Sequence, residues 1–112
     1  MEKIEEIENL FKNIFEKAKD KVSHELNVYR IFQFNIRDAG DFYIEINYGK
    51  INFVKGTHQN PTAIISTDYE TLIKLLKREE DPMTAFLRGK LSISKDVMST
   101  MLLTKIVEAA YK

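Results

Sequence analysis

Asp81-Pro82-Met83-Thr84-Ala85-Phe86-Leu87-Arg88-Gly89-Lys90-Leu91-Ser92-Ile93 spells a short capped helix that stops at a glycine and passes directly into a strand. The Asp81 carboxylate suits the N-cap, and Pro82 fits the first helical position, where its missing N–H costs nothing. Gly89 can take the left-handed conformation that closes a helix. Leu91 and Ile93 then alternate with Ser92, which is the period of a strand. A helix that turns at once into a strand predicts an α+β fold.

Beyond Ile93, Asp96 is placed to cap a final helix carrying Met98, Met101, Leu102, Leu103, Ile106, Val107 and Ala110. Before Asp81, the patch Lys77-Arg78-Glu79-Glu80 ends a helix whose buried side holds Leu72, Ile73, Leu75 and Leu76. Thr67 and Glu70 have capping-box spacing, which predicts Thr67 as the N-cap of that helix. The apolar stretch Ala63-Ile64-Ile65 precedes it, after a loop from Lys55 to Pro61. Further upstream the period is two. Val28, Phe32, Phe34 and Ile36 point one way, and Phe42, Ile44, Ile46 and Tyr48 alternate with Tyr43, Glu45 and Asn47. Turns at Asp38–Asp41 and Tyr48–Lys50 join these segments to Ile51-Asn52-Phe53-Val54, which predicts an antiparallel meander. At the N-terminus Ile4, Ile7, Leu10, Phe11, Ile14, Phe15, Ala18 and Val22 form one helical stripe, with His24 at its end.

Composition narrows the function. With 112 residues, 44% of them hydrophobic, the chain is read as one domain, residues 1–112, with a single core. Seventeen basic residues balance 17 acidic ones, so no general attraction to nucleic acid or to an anionic membrane is expected. There is no cysteine, hence no disulfide, thiolate metal site or cysteine nucleophile. No apolar run approaches the roughly 20 residues of a spanning helix, and a cytoplasmic location is the default expectation.

Candidates for chemistry are few. His24 and His58 are the only histidines, and neither has a second histidine at metal-ligand spacing. Ser23-His24-Glu25 has the residue types of a triad, but neighbours in a helix cannot face one another. Gly89-Lys90 lacks the frame of a phosphate loop and follows a helix instead of a strand. Glu79 and Glu80 are read as part of a solvated turn. An enzyme acting on an acyl or steroid ligand would have to draw on Tyr43, Tyr48, Tyr69 or His58, and no role can be assigned to any of them. No metal and no cofactor are expected.

The final helix is apolar over more than a narrow stripe: Met98, Leu102 and Ile106 form one line and Leu103, Val107 and Ala110 the next. Such a helix is covered on two sides, or it covers something besides the sheet. Methionines suit varied apolar shapes. A filled core, a dimer interface and a ligand cavity all fit this pattern.

From about Ile64 to Lys112 the chain closely resembles the C-terminal half of the sterol carrier protein type 2 domain. The resemblance lies in Ser66-Thr67-Asp68, in Leu72-Ile73-Lys74-Leu75-Leu76, and in Asp-Pro-x-x-Ala-Phe-x-x-Gly-Lys-Leu from Asp81 to Leu91. The N-terminal helix and the strands Phe32–Ile36 and Phe42–Ile46 stand in the same order. The resemblance implies a five-stranded, mostly antiparallel sheet with helices packed on one face. It also implies a non-catalytic domain with an apolar cavity between sheet and helices, which holds a fatty acid, acyl-CoA, phospholipid or sterol-like lipid for transfer. The family's pattern has a glycine before Asp or Asn after the last strand. Here the sequence is Ser94-Lys95-Asp96, so an altered turn is expected.

Periodicity then proposes the lipid-binding wall: Phe34, Ile44, Ile46 and Phe53 from the sheet, Leu72, Leu76 and Phe86 from the middle helices, and Met98, Met101, Leu102 and Ile106 from the last. Asp81, Pro82, Phe86 and Gly89 match the motif in a structural role. The expected partner is a lipid or other apolar small molecule, with at most transient membrane contact and a possible homodimer. The alternative is a solid-core interaction or dimerisation module of the same fold.

Overall fold

The N-terminal stripe coils as α1, Lys3–Ala18, in the computed structural model, which describes residues 2–112. Ile7, Phe11, Ile14, Phe15 and Ala18 are its buried side. Regular helix ends four residues before the stripe does. The Val22 N–H still reaches the Ala18 carbonyl at 3.1 Å, but the chain then loosens into turns. Val22 and Leu26 stay buried there through packing, and His24 lies beyond the helix instead of at its end.

The alternating segments form β1 (Tyr29–Ile36), β2 (Gly40–Asn47) and β3 (Lys50–Lys55), paired as an antiparallel meander. Tyr48 and Gly49 have φ of 48° and 95°, the pair of left-handed residues that a type I′ hairpin turn requires. β4 (Ala63–Thr67) pairs parallel with β1, and β5 (Ser92–Lys95) pairs antiparallel with β4. The order is β3-β2-β1-β4-β5, so the sheet is five-stranded and mostly antiparallel, as expected. Phe32, Phe34, Ile36, Phe42, Ile44, Ile46, Ala63 and Ile65 share one face and join the buried helix residues in one apolar cluster. On the opposite face, the buried Gln33 amide donates to the carbonyls of Phe42 (3.1 Å) and Gly56 (3.2 Å). Its oxygen accepts the His58 N–H at 2.8 Å, which ties the β3–β4 loop across that side.

α2 runs Tyr69–Leu76, α3 Pro82–Leu87, and α4 Met101–Ala110 after a 3-10 turn at Met98–Thr100. The cap of α2 is Asp68, one residue later than the capping-box spacing indicated. Asp68 Oδ1 accepts the Thr71 N–H at 2.7 Å, and that bond holds its carboxyl below the usual range. Thr67 belongs to β4, and its buried hydroxyl donates to the Lys90 carbonyl at 2.7 Å. It therefore fixes the strand to the segment that follows α3. Asp81 caps α3 through the Thr84 N–H at 3.1 Å, Pro82 begins the helix, and Gly89 has φ 74°, all as the sequence predicts.

The turn after β5 forms without a glycine. Lys95 itself takes φ 67°, and Asp96 Oδ1 accepts the Ser99 N–H at 3.1 Å at the start of the 3-10 turn. The left-handed region costs a residue with a Cβ roughly 1–2 kcal/mol, whereas glycine loses ~0.5–1 kcal/mol of extra backbone entropy. Lys95→Gly is therefore expected to stabilise the fold by about 0.5–1 kcal/mol, read as a rise of about 3 °C in the thermal midpoint. A midpoint that stays put or falls would show that Lys95 bears no strain.

Candidate functional site: an apolar cavity between sheet and helices

A cavity of about 420 Å³ lies where β1, β4 and β5 face α1, α2 and α4. Phe34, Ile65 and Ile93 form its floor, with Leu91 beside them. Phe11 and Phe15 of α1, Leu72, Leu75 and Leu76 of α2, and Leu103, Ile106 and Val107 of α4 form the remaining apolar wall. Its rim comes from Arg78, Glu79, Glu80 and Asp81 between α2 and α3, from Pro82 at the start of α3, from Thr100 in the 3-10 turn, and from Thr104 and Glu108 of α4.

The α1 aromatics set the cavity's position. The Phe11 ring lies 5.4 Å from Phe34, 5.7 Å from Phe42 and 6.2 Å from Phe53, so it fills the space above β2 and β3. Phe42 and Phe53 stack at 4.5 Å and complete that filled half. The empty half is left above β1, β4 and β5.

Of the residues proposed from periodicity, Phe34, Leu72, Leu76 and Ile106 line this cavity. Ile44 and Ile46 lie fully buried on the filled side, and Phe53 is held in the aromatic stack. Leu102 packs against the core outside the cavity wall. Phe86, Met98 and Met101 are 49%, 72% and 54% exposed, on the outside of the molecule. α3 has six residues and buries Ala85, which leaves Phe86 outward. Regular α4 begins only at Met101, and the 3-10 turn before it breaks the 3.6-residue period that placed Met98 on the inner line. Leu103 and Val107, the neighbouring line on α4, are the wall instead. Phe11 and Phe15 escaped the sequence-based wall because their stripe reads equally well as ordinary helix–sheet core. Their aromatic i, i+4 spacing is the signal that was available.

The cavity wall is chemically plain. Tyr43 and His58 pack edge to face at 5.0 Å on the opposite side of the sheet, and the Tyr69 hydroxyl donates to Glu6. None of these, nor Tyr48, lines the cavity. Among the described residues no group of three or more His, Asp or Glu side chains is placed to hold a metal ion. On the rim, Glu80 Oε1 is shielded from solvent and has no hydrogen-bond partner. Behind the wall, the Tyr111 hydroxyl donates to the Leu76 carbonyl at 2.7 Å and ties the end of the chain to α2. No helix among the described residues is long and apolar enough to cross a membrane.

Sheet, one-sided helices and an apolar pocket between them that opens at a polar rim define an α+β domain of the sterol carrier type. The chain belongs to the SCP-2 sterol transfer family, whose pattern matches residues 7–108. Solved structures agree at the level of fold. The apo form of sterol carrier protein 2 from Yarrowia lipolytica is similar with TM-score 0.64 and 15% identity, over 89% of this chain and 88% of that one. Palmitated SCP2L2 from Aedes aegypti is similar with TM-score 0.58 and 19% identity, over 90% of this chain and 94% of that one. The inverting sec-alkylsulfatase Pisa1 from Pseudomonas sp. is similar with TM-score 0.64 and 16% identity, over 76% of this chain. The match covers 14% of the sulfatase's own length. No curated protein sequence matches.

Proposed function

We propose that residues 1–112 act as one lipid-binding domain that holds an apolar ligand in the cavity between sheet and helices and passes it on unchanged. The observation that carries this is the apolar space of about 420 Å³, within the size range of ordinary ligand sites. Burial of an acyl chain there gains roughly 0.8 kcal/mol per methylene, so desolvation alone supplies useful affinity. Fatty acid, acyl-CoA, phospholipid and sterol-like lipids are the candidate ligands. The palmitated mosquito protein supports a ligand role for this fold.

Absence of catalysis is part of the proposal, and the plain wall supports it. The open space weighs against the alternative of a solid-core interaction module. Met83, Phe86 and Leu87 on α3, with Val97, Met98 and Met101 at the approach to α4, are exposed apolar side chains on the segments that border the rim. They support a brief contact with a membrane as ligand is exchanged.

Native mass spectrometry of the protein purified from cells tests the proposal. Adducts of lipid mass are the expected result. A bare chain that also fails to take up a fluorescent lipid at micromolar concentration would overturn it.

A further inference from the structure

The cavity is bounded on the side of β2 and β3 by Phe11. That ring is 2% exposed and lies 5.4 Å from Phe34 and 5.7 Å from Phe42, with Phe53 stacked on Phe42 behind it. Phe42, Ile44 and Ile46 are completely buried in the same apolar cluster. An interior packed in this way yields room only at a cost in strain. The C-terminal end of α4 is tied as well. The Tyr111 hydroxyl donates to the Leu76 carbonyl at 2.7 Å, and the Lys21 ammonium donates to the carbonyls of Ala109 at 3.2 Å and Lys112 at 2.8 Å. Those bonds join α4 to α2 and to the turns after α1, so the wall that carries Ile106 and Val107 resists swinging outward. At the rim, Arg78 stands among Glu79, Glu80, Asp81 and Glu108, so any part of a ligand left outside meets charged groups of both signs.

Volume then limits the ligand. A dry apolar cavity of about 150 Å³ holds one benzene, which sets about 25 Å³ for each non-hydrogen atom. At that density a cavity of about 420 Å³ takes about 17 such atoms. A sterol has more than half as many again, and a two-chain phospholipid more than twice as many. We propose that the cavity admits a single unbranched chain of up to about sixteen carbons and excludes both the ring system of a sterol and the paired chains of a phospholipid. The proposal rests on the lipid-binding reading of the cavity and narrows it to one class of ligand. The family is described by sterol transfer, and this chain departs from that description because Phe11 closes off the half of the interior that a larger ligand would need.

The test mixes the whole chain, stripped of lipid, with phosphatidylcholine vesicles that carry equal small amounts of decanol, tetradecanol, hexadecanol, eicosanol and cholesterol. The vesicles are removed, and the alcohols extracted from the protein are compared with their share in the vesicles. Each methylene passes from one apolar phase to another, so loading should stay level within about threefold from decanol to hexadecanol. Past the length that fills the cavity, each further methylene is left in water at a cost of about fourfold, so eicosanol is expected at least tenfold below hexadecanol. Cholesterol is expected to fall at least as far below hexadecanol. In Leu103→Trp the indole takes the room of two or three methylenes, so hexadecanol should drop by about thirtyfold and decanol by much less. Cholesterol or eicosanol loading as well as hexadecanol in the unmodified protein would overturn the proposal while leaving the lipid-binding reading intact. Failure of every alcohol and of cholesterol to load would overturn that reading, and this proposal with it.

Discussion

Leu103→Trp is expected to lower affinity for an apolar ligand by about thirtyfold. Leu103 lines the cavity from α4, opposite Phe34 and Ile65 on the sheet. An indole there takes up room that two or three ligand methylenes would otherwise fill. At roughly 0.8 kcal/mol each that is about 2 kcal/mol, and 1.4 kcal/mol corresponds to a factor of ten. Insertion into a packed core costs about 1–3 kcal/mol, but here the new ring enters existing space, so the folded state should lose less than that. The chain has no tryptophan of its own, so the introduced one reports its surroundings without interference. Blue-shifted emission together with weakened binding is the expected pair of results. Blue-shifted emission with unchanged affinity would show that the ligand sits elsewhere.

Phe11→Ala carries the largest expected effect on stability. Phe11 is 2% exposed, and its ring meets those of Phe15, Phe34, Phe42 and Phe53 at centroid distances of 5.4–6.2 Å. Truncating a buried phenylalanine costs about 3–5 kcal/mol, from lost transfer energy and the void left behind. Each edge-to-face or offset pair adds ~0.5–1.5 kcal/mol beyond area, although such increments do not sum freely. Against a total stability of ~5–15 kcal/mol the loss is severe. Denaturant titration should show a loss of at least 3 kcal/mol with a cooperative transition retained, and the thermal midpoint should fall by about 15 °C. A loss under about 1 kcal/mol would mean that α1 is not what fills the space above β2 and β3.

Local chemistry was legible where a single residue decides the conformation. Asp81, Pro82 and Gly89 do in the structure what their side chains predict, and the period-two segments became the strands of the meander. Asp68 displaced Thr67 as cap because Thr67 extends β4 and spends its hydroxyl on Lys90, a bond across 23 residues that no local spacing reveals. Lys95 shows the reverse. The turn needs a left-handed residue, and pairing of β5 with β4 together with the Asp96 cap holds a lysine there. The parallel pairing of β1 with β4 is equally non-local, since it depends on a chain crossing rather than on any pattern within either strand.

The site was less legible than the fold for a definite reason. Apolar periodicity marks residues that leave water, whether they meet one another or enclose a void. Ile44 and Ile106 look alike in sequence, yet one lies in the filled half and the other on the cavity wall. Phe11 separates the halves, and where its ring comes to lie on the sheet is a tertiary fact. Met98 illustrates a second limit, because one 3-10 turn shifts the helical phase enough to put an apparent inner position outside.

Methyl chemical-shift mapping by NMR, with decanol titrated into protein labelled at Ile, Leu and Val, tests the location of the ligand most directly. Shifts are expected at Leu72, Leu76, Leu103, Ile106, Val107, Ile65 and Ile93, which line the cavity, and not at Ile44 or Ile46 on the filled side. Shifts confined to exposed methyls such as Leu87 and Val97, with the wall unmoved, would contradict a ligand held between sheet and helices.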